Sequence, residues 1–559
     1  MKDNYWNERR GTAAGTRSAG KGQLVRGAVL AVLVGCASQA AHADATSADI
    51  EQMKQTIREL QSKLASVEAT QAQQAAEVKK AAAAAPAPAK PASDKYDGIQ
   101  AGPLNIKFGG FLAAEGFLRN RNETSDFASS WNKIPYPNSS QYYLNEFRMT
   151  ARQSRLSMLV SGGTDGHQHA EGYYEMDFGG AAQTANSNES NSYNPRVRHV
   201  YGTYYNDDIG LYILGGQTWS LATQEKTGMK PRDEITPIGI EGQYVPGFNW
   251  TRNAQIRFVE KFNNMVSAGL SFESPATIIA ANGKTPAGVV VNNAGGSLYN
   301  SANNYTLDNT PDIIAKVAVD PGFGHYELYG MERWFRDRVL TGSGTATTGQ
   351  NHTTSGFSVG GSLLMPLMPK QLELQASFLI GDGVGRYGSA QMVDATYKSD
   401  GTLDAVKGKE FLVGLVGHPT KDLDLYAYWG REEMDKTVSA YYNASGAITG
   451  AAGYGNPLSN LSGCYYETGS CSLNAAGGVA NNKVEQFTGG LWWKFYRGPI
   501  GIFQVGLQGS YTKATAFEGL VANPPATIIP GETTLPASTR PDTNMTVWAF
   551  SLRYYPYAK

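Results

Sequence analysis

From residue 106 onward, sixteen strand-like segments are joined by connections that alternate between short and long. The short connections fall near 162–166, 206–210, 261–264, 320–324, 365–370, 417–421 and 496–499. The long connections fall near 119–147, 179–194, 220–248, 274–310, 337–353, 382–407, 434–482 and 515–542. This alternation is typical of a membrane β-barrel, which has short turns at one rim and long loops at the other. An even number of strands places both ends of the barrel on the side of the short turns.

Residues alternate in polarity within these segments, as expected when one face meets lipid and the other a polar interior. In the last segment the predicted lipid face carries Trp548, Phe550, Leu552 and Tyr554. In the segment that begins at Pro195, one face carries Arg196, Arg198 and Tyr204, and the other carries Val197, His199, Tyr201 and Tyr205. We predict that this second, more aromatic face contacts lipid and that the arginine face lines the interior.

The composition favours the same fold. Aromatic residues make up 11% of the chain, charged residues 17%, and there are 64 glycines, which suits many strands, turns and interfacial aromatic belts. The only long apolar helical run lies near the N-terminus, so the strands must close on themselves, because lipid cannot satisfy the backbone groups of an open edge. The sequence predicts an all-β transmembrane protein, a 16-stranded antiparallel outer-membrane β-barrel over residues 104–559. The formal net charge of −1 indicates no nucleic acid partner.

The first 103 residues are predicted to form three further segments. Residues 1–43 have the features of an export signal, with basic residues before the apolar run GAVLAVLVG and a small-residue cleavage site at Ala41-His42-Ala43. An alternative is that Leu33-Val34-Gly35-Cys36 acts as a lipobox and that Cys36 is lipidated. Residues 44–80 are predicted to form a periplasmic coiled-coil helix, and residues 81–103 an extended Ala/Pro-rich linker.

The coiled-coil prediction depends on a seam with 3-4-3-4 spacing. The seam comprises Ile50, Met53, Ile57, Leu60, Leu64, Val67, Gln71, Gln74 and Val78. The flanking residues are polar, so a single helix would leave this seam in water. We therefore expect the helix to associate with copies of itself.

Sixteen strands enclose a barrel wide enough for an aqueous channel, so the sequence predicts a porin. The candidate channel and anion-binding residues are Arg155, Arg196, Arg198, Arg257 and Arg333. A guanidinium binds carboxylates through a planar fork and stays protonated, so a ladder of arginines would select anions. The alternative is ordinary polarity of the channel wall, in which acids such as Glu171, Glu175 and Asp177 neutralise these arginines.

The long connection at 220–248 is the candidate constriction loop. It mixes basic and acidic side chains, among them Lys226, Lys230, Arg232 and Glu241. Because it follows the arginine-bearing hairpin directly, we predict that it folds into the barrel and narrows the channel.

Cys464 and Cys471 lie in one polar connection, and so close a pair in an exported chain predicts a disulfide. No further Cys or His lies nearby, so we expect no metal site there. We expect no cofactor and no enzymatic activity, because no nucleophile elbow, zinc-protease motif or phosphate loop occurs.

The motifs TARQSRLSM at 150–158, VRHVYG at 197–202 and GGQTWS at 215–220, together with the coiled coil and Pro/Ala spacer, resemble the DcaP-like outer-membrane porins. The resemblance implies a homotrimer of sixteen-stranded barrels that takes up small organic acids, particularly dicarboxylates. It also implies that arginines near Arg155 and Arg196 form the anion path. One departure is the C-terminal Tyr557-Ala558-Lys559, where many such barrels end in Phe, so assembly would depend on Tyr555 or Tyr557.

The expected location is the bacterial outer membrane, with the coiled coil in the periplasm. The expected partners are outer-membrane lipid and lipopolysaccharide, small organic anions and further copies of the chain. Two alternatives to an organic-anion porin remain open: a general diffusion porin, and an envelope structural or adhesive barrel protein.

Overall fold

The computed structural model describes residues 98–163, 167–180, 193–282, 285–296, 303–475, 478–521 and 538–558, and three isolated positions. Those three positions, Gln55, Arg58 and Ser62, are helical and fall within the predicted coiled coil. The rest of the coiled coil, the predicted signal with Cys36, and the linker as far as residue 97 lie outside the described residues. Among the described residues, no helix is long and apolar enough to cross a membrane.

Sixteen strands form one barrel, and the second strand is in two pieces. The strands are β1 Leu104–Arg119, β2 Glu146–Thr150 with Arg155–Gly163, β3 Gln168–Gly180, β4 Asn194–Asn206, β5 Leu211–Trp219, β6 Arg252–Lys261, β7 Val266–Glu273, β8 Asp312–Val319, β9 His325–Thr341, β10 Thr348–Met368, β11 Leu372–Asp382, β12 Lys407–Thr420, β13 Leu423–Met434, β14 Asn481–Gly498, β15 Gly501–Ala516 and β16 Asp542–Tyr555.

Shorter elements decorate the barrel. The 3-10 turns are Trp131–Lys133, Ser140–Tyr143, Gly344–Ala346, Gly385–Tyr387 and Ser462–Tyr465. Ile99–Ala101 pairs with the start of β1, and Val289–Val290 pairs with the end of β9. Among the described residues, five two-stranded antiparallel pairs lie in the connections: Asn292–Ala294 with Asn304–Thr306, Ala395–Tyr397 with Leu403–Ala405, Thr437–Tyr442 with Ile448–Tyr454, Asn474–Ala475 with Gly478–Val479, and Gly519–Leu520 with Ser538–Thr539.

Each barrel strand pairs antiparallel with the strands before and after it, and β16 returns to pair with β1. That last ladder runs from Leu112 opposite Tyr554 to Arg119 opposite Val547. Closure leaves no unpaired edge, which is the condition for a sheet to lie in lipid. The predicted 16-stranded antiparallel barrel is confirmed.

The outer surface is apolar and the inner surface polar, as β6 illustrates. Ile256 and Phe258 are 54% and 40% exposed on the outside, whereas Gln255 and Arg257 are buried within. On β16, Trp548 is 62% exposed, in agreement with its predicted lipid face. Six predicted short turns lie between consecutive strands, and the first turn is partly outside the described residues. The predicted long connection near 337–353 is wrong, because β9 and β10 extend to leave only residues 342–347 between them.

The predicted faces of β4 are also wrong over part of the strand. Glu175 on β3 pairs with His199 and Met176 pairs with Val197, so Arg198 is an extra residue in a β-bulge. A bulge changes the parity of all residues beyond it. Arg198 and His199 are therefore both buried inside, followed by Tyr201, whereas the outer face carries Val197, Val200 and Tyr204.

Cys464 and Cys471 are joined in a disulfide with Cα atoms 4.8 Å apart. Cys464 is fully buried in a small cluster with Tyr136, Leu461 and Leu473. The disulfide thus stabilises the connection between β13 and β14 and lies outside the strands.

Candidate functional site

The segment 220–251, which we call loop 3, leaves the wall at Trp219 and rejoins it at Arg252, two residues that pair in register. Its first arm contacts the inner wall at strands β8 and β10. Thr223 O accepts a hydrogen bond from Lys316 Nζ on β8 at 2.9 Å, and Gln224 Nε2 donates to Leu363 O on β10 at 2.8 Å. The loop thus lies inside the barrel.

The first arm reaches the rim that carries the short turns. Glu225 and Glu234 form a β-bridge that closes a hairpin. At its tip Thr227 Oγ1 and Gly228 N donate to Asp320, in the turn between β8 and β9, at 3.0 and 2.9 Å. Of the basic residues predicted to line the constriction, Arg232 Nη2 contacts Glu171 Oε2 on β3 at 2.9 Å, Lys226 is partly buried and Lys230 is exposed.

The second arm crosses to the other side of the barrel. Ile238 O accepts from Trp492 Nε1 on β14 at 2.6 Å, and Ile240 N donates to Gln508 Oε1 on β15 at 2.6 Å. Gln153, between the two pieces of β2, donates to Ile240 O at 2.7 Å. Loop 3 is thereby tied to walls on opposite sides, which restricts the cross-section of the lumen.

Glu241, predicted to be a constriction residue, ties loop 3 to the connection between β1 and β2. Its Oε1 accepts from Ser129 N at 2.7 Å, and its Oε2 lies 3.8 Å from Arg119 Nη2. Arg119 also lies 3.8 Å from Glu123 and 3.4 Å from Glu146, so three buried carboxyls share one guanidinium. Burial raises the pKa of Glu123 to about 7, although Arg119 opposes the shift, and burial raises the pKa of Glu241 to about 7 in the same way.

These raised pKa values predict that the contact between loop 3 and the β1–β2 connection weakens as the pH rises. A carboxyl whose folded pKa lies above the unfolded value of 4.5 stabilises the fold fully below that value, and its contribution falls as the pH rises to about 7. We expect open-channel current noise to grow between pH 5 and pH 8, and Glu241→Gln to remove much of that dependence. Glu467→Gln, on an exposed loop, is the control. Noise that grows toward acid pH would contradict this.

Arginines from neighbouring strands converge on the wall beside loop 3. Arg196 Nη2 lies 2.6 Å from Asp177 Oδ2, and Arg198 Nε lies 2.6 Å from Glu175 Oε1. Arg198 also contacts Asp177 at 3.1 Å. Arg196 and Arg198 share the inner face of β4, so both arginines reach the two acids of β3 and are neutralised by them.

Arg155 on β2 and Arg252 at the start of β6 adjoin this group. The guanidinium of Arg155 stacks on Phe111 at 5.3 Å, and that of Arg252 lies 4.8 Å from Trp219 and 4.9 Å from the Trp250 ring. Within the described part of the chain, neither makes an ion pair with a carboxylate. Arg252 is nevertheless within electrostatic range of Arg155, Arg196 and Arg198. Four guanidinium groups against two carboxylates leave an excess of two positive charges. We call these four residues the arginine site.

Tyr244 of loop 3 covers the arginine site. Its ring packs 6.2 Å from Trp219, 5.4 Å from Trp250 and 5.2 Å from Phe248. Its φ of 61° lies in the left-handed region, which a bulky side chain seldom adopts and which is found at functional sites. Burial alone would raise the pKa of Tyr244, yet the nearby arginines, Arg198 foremost, lower it. The site therefore favours negative charge on an oxygen atom.

The other two predicted channel arginines lie apart from this group. Arg257 is fully buried, with Nη2 2.5 Å from Trp219 O and Nη1 4.0 Å from Glu225. Arg333 is held between Asp312 at 3.2 Å and Asp394 at 2.6 Å. Each of these two arginines holds a connection against the barrel wall, and its charge is matched by nearby carboxylates. The structure thus brings together Arg155, Arg196 and Arg198 and adds Arg252, Tyr244, Trp219 and Trp250, which are not among the predicted channel residues.

Neither a family model nor a curated protein matches this chain. Solved structures do. The outer membrane channel DcaP of Acinetobacter baumannii is 14% identical with a TM-score of 0.54, over 82% of this chain and 99% of that one. An anion-selective porin from Comamonas acidovorans is 11% identical with a TM-score of 0.40, over 81% and 99%. OmpT of Vibrio cholerae is 10% identical with a TM-score of 0.39, over 82% and 99%. The chain has the fold of the DcaP channel, as its sequence resemblance implied; the other two similarities are too weak to add to this.

Proposed function

We propose that this protein is an outer-membrane porin whose channel admits small organic anions, with dicarboxylates as the preferred solutes. The observation that carries the proposal is the pair Arg155 and Arg252, which have no carboxylate partner among the described residues and lie beside the neutralised Arg196 and Arg198. The barrel fold, similar to that of an outer membrane channel, supports the location and the channel.

The arrangement suits a solute with a carboxylate at each end. The attraction of one unpaired guanidinium offsets only part of the hydration free energy that a carboxylate loses on binding, so a single guanidinium makes a weak site. Two such groups on separate strands, Arg155 on β2 and Arg252 on β6, hold each end of a dicarboxylate without trapping either. Conduction needs this compromise, because solutes must leave as readily as they enter.

The test is a recording of single channels in planar bilayers. We expect the wild-type channel to be more permeable to chloride than to potassium, as measured by the reversal potential in a potassium chloride gradient. Succinate should block the current transiently, and a monocarboxylate such as propionate should block it less. A channel that prefers potassium and is indifferent to succinate would make the protein a general diffusion porin, and the absence of any channel would leave an envelope structural protein.

We also propose that the chain forms a homotrimer through the coiled-coil helix 44–80, after removal of the signal at residues 1–43. The apolar seam of that helix supports this, because only copies of the helix can bury it. A peptide of residues 44–95 should be helical and self-associating, as measured by circular dichroism and sedimentation equilibrium. Deletion of residues 46–80 from the full chain should reduce the helical signal and leave the channel open. A peptide that stays monomeric and unfolded at high concentration would contradict the coiled-coil prediction.

A further inference from the structure

Two glutamates face each other inside the barrel, away from the arginine site. Glu410 on β12 and Glu432 on β13 are register partners on adjacent strands, and both are fully buried. Within the described part of the chain, neither lies within ion-pair distance of Lys, Arg or His. Two carboxylates opposed in this way at low exposure need a shared proton or a cation between them.

Three buried oxygen atoms at this point have no hydrogen-bond partner: Glu410 Oε1, Glu432 Oε2 and Asn249 Oδ1. Asn249, near the end of loop 3, is only 3% exposed, and its Nδ2 donates to Glu410 Oε2. The side-chain amide of Asn249 is therefore held beside the Glu410 carboxylate, and rotation about its Cβ–Cγ bond exchanges the nitrogen and oxygen ends. Three orphaned acceptors in one buried place are costly unless something satisfies them.

The neighbouring charges are already balanced and do not supply a cation. Arg333 lies 2.6 Å from Asp394 and 3.2 Å from Asp312, and Arg386 lies 3.4 Å from Asp312. Two guanidinium groups thus match two aspartates. Among the described residues, no ion pair is left to compensate the charge that the glutamate pair carries when it is ionised.

We propose that Glu410, Glu432 and Asn249 bind one divalent cation, for which Ca²⁺ is the best match. Carboxylate and amide oxygens are hard ligands, and Ca²⁺ accepts a flexible set of them, completed by water. Two carboxylates neutralise its charge. No three His, Cys, Asp or Glu side chains converge as a metal site among the described residues, and here the third ligand is an amide. A Cβ at Gly388 would collide with the Glu432 carboxylate, so glycine leaves it room.

The cation would fix the constriction in place. Glu432 Oε1 accepts from Gly247 N of loop 3 at 2.7 Å and from Ala390 N, in the connection between β11 and β12, at 2.8 Å. Asn249 adds a second contact from loop 3. Binding therefore holds the end of loop 3 and the β11–β12 connection against the wall of β12 and β13.

The test uses the full chain refolded in detergent free of lipopolysaccharide, because lipopolysaccharide itself binds Ca²⁺. After removal of metal with EDTA, millimolar Ca²⁺ should raise the thermal denaturation temperature of the wild type by several degrees, and Tb³⁺ should show luminescence that Ca²⁺ displaces. Glu433→Gln, the neighbouring carboxylate on the opposite face of β13, should behave like the wild type. The double variant Glu410→Gln, Glu432→Gln should lose both effects.

A second variant tests the proposal even if the double variant does not fold. Asn249→Asp adds a third carboxylate, so it should bind Ca²⁺ more tightly than the wild type and be less stable in EDTA. A wild type with neither a Ca²⁺-dependent shift nor Tb³⁺ luminescence would overturn the proposal and indicate a shared proton. A shift of equal size in the folded double variant would also overturn it.

Discussion

The double variant Arg155→Gln, Arg252→Gln is expected to lose most of the preference for chloride over potassium and to be insensitive to succinate. Removing these two charges leaves Arg196 and Arg198 facing Asp177 and Glu175, an electrically balanced group. Unit charges about 4 Å apart interact by roughly 4 kcal/mol at an effective dielectric near 20, so even a fraction of that energy matters. A loss of about 1.4 kcal/mol lowers the relative permeability of the anion about tenfold.

Reversal potentials and succinate block measure both effects, and Arg336→Gln is the matched control. Arg336 lies on the same strand as Arg333 with the opposite parity, on the outer face of β9. The double variant should keep an open-state conductance similar to that of the wild type, since neither side chain holds loop 3 by a hydrogen bond in the described structure. Unchanged chloride selectivity would show that the arginine site does not select anions.

The alternative variant Arg196→Ala, Arg198→Ala should behave differently. It removes the partners of Asp177 and Glu175, both buried, and leaves two carboxylates without counter-charge. Breaking buried ion pairs in this way is strongly destabilising. We therefore expect this variant to shift selectivity toward cations and to denature at lower temperature, as measured by the heat-induced shift in electrophoretic mobility. A denaturation temperature equal to that of the wild type would mean that water in the channel solvates the two acids.

The barrel itself could be predicted from the sequence because its determinants are local. Turn-forming residues mark each short connection, and the alternation in segments such as β6 and β16 follows from the two-residue period of a strand. Such signals need no knowledge of which strands are neighbours. The alternation therefore predicts that Arg257 faces the interior and Ile256 the outside, and the structure shows the same arrangement.

The arginine site was only partly predictable, because its geometry depends on distant contacts. One extra residue, Arg198, reverses the parity of the rest of β4, and alternation alone does not show where a bulge falls. Arg252 has the parity of the outer face, but at the first position of β6 its side chain turns inward onto Trp219 and Trp250. The path of loop 3 is set by pairs such as Ile240 and Gln508, which no local pattern connects.

Replacement of loop 3 by a short turn should produce the largest change in conductance. Trp219 and Arg252 pair in register, so a Gly/Ser turn can join β5 to β6 directly and replace residues 220–251 without disturbing the barrel ladder. We expect conductance to rise several-fold in planar bilayers, because both arms of the loop leave the lumen. Anion selectivity should weaken as well, since Tyr244 and Trp250 are removed with the loop and water surrounds the arginine site more fully.

A smaller excision locates the narrowest point. Glu225 and Glu234 are bridged, so removing residues 226–233 deletes only the hairpin tip that reaches Asp320 and Glu171. The second arm, with its contacts to Trp492, Gln508 and Glu432, stays in place. If that arm sets the constriction, the tip variant should conduct only slightly more than the wild type. A rise equal to that of the full replacement would place the constriction at the rim of the short turns, and unchanged conductance in both variants would show that loop 3 does not limit the current.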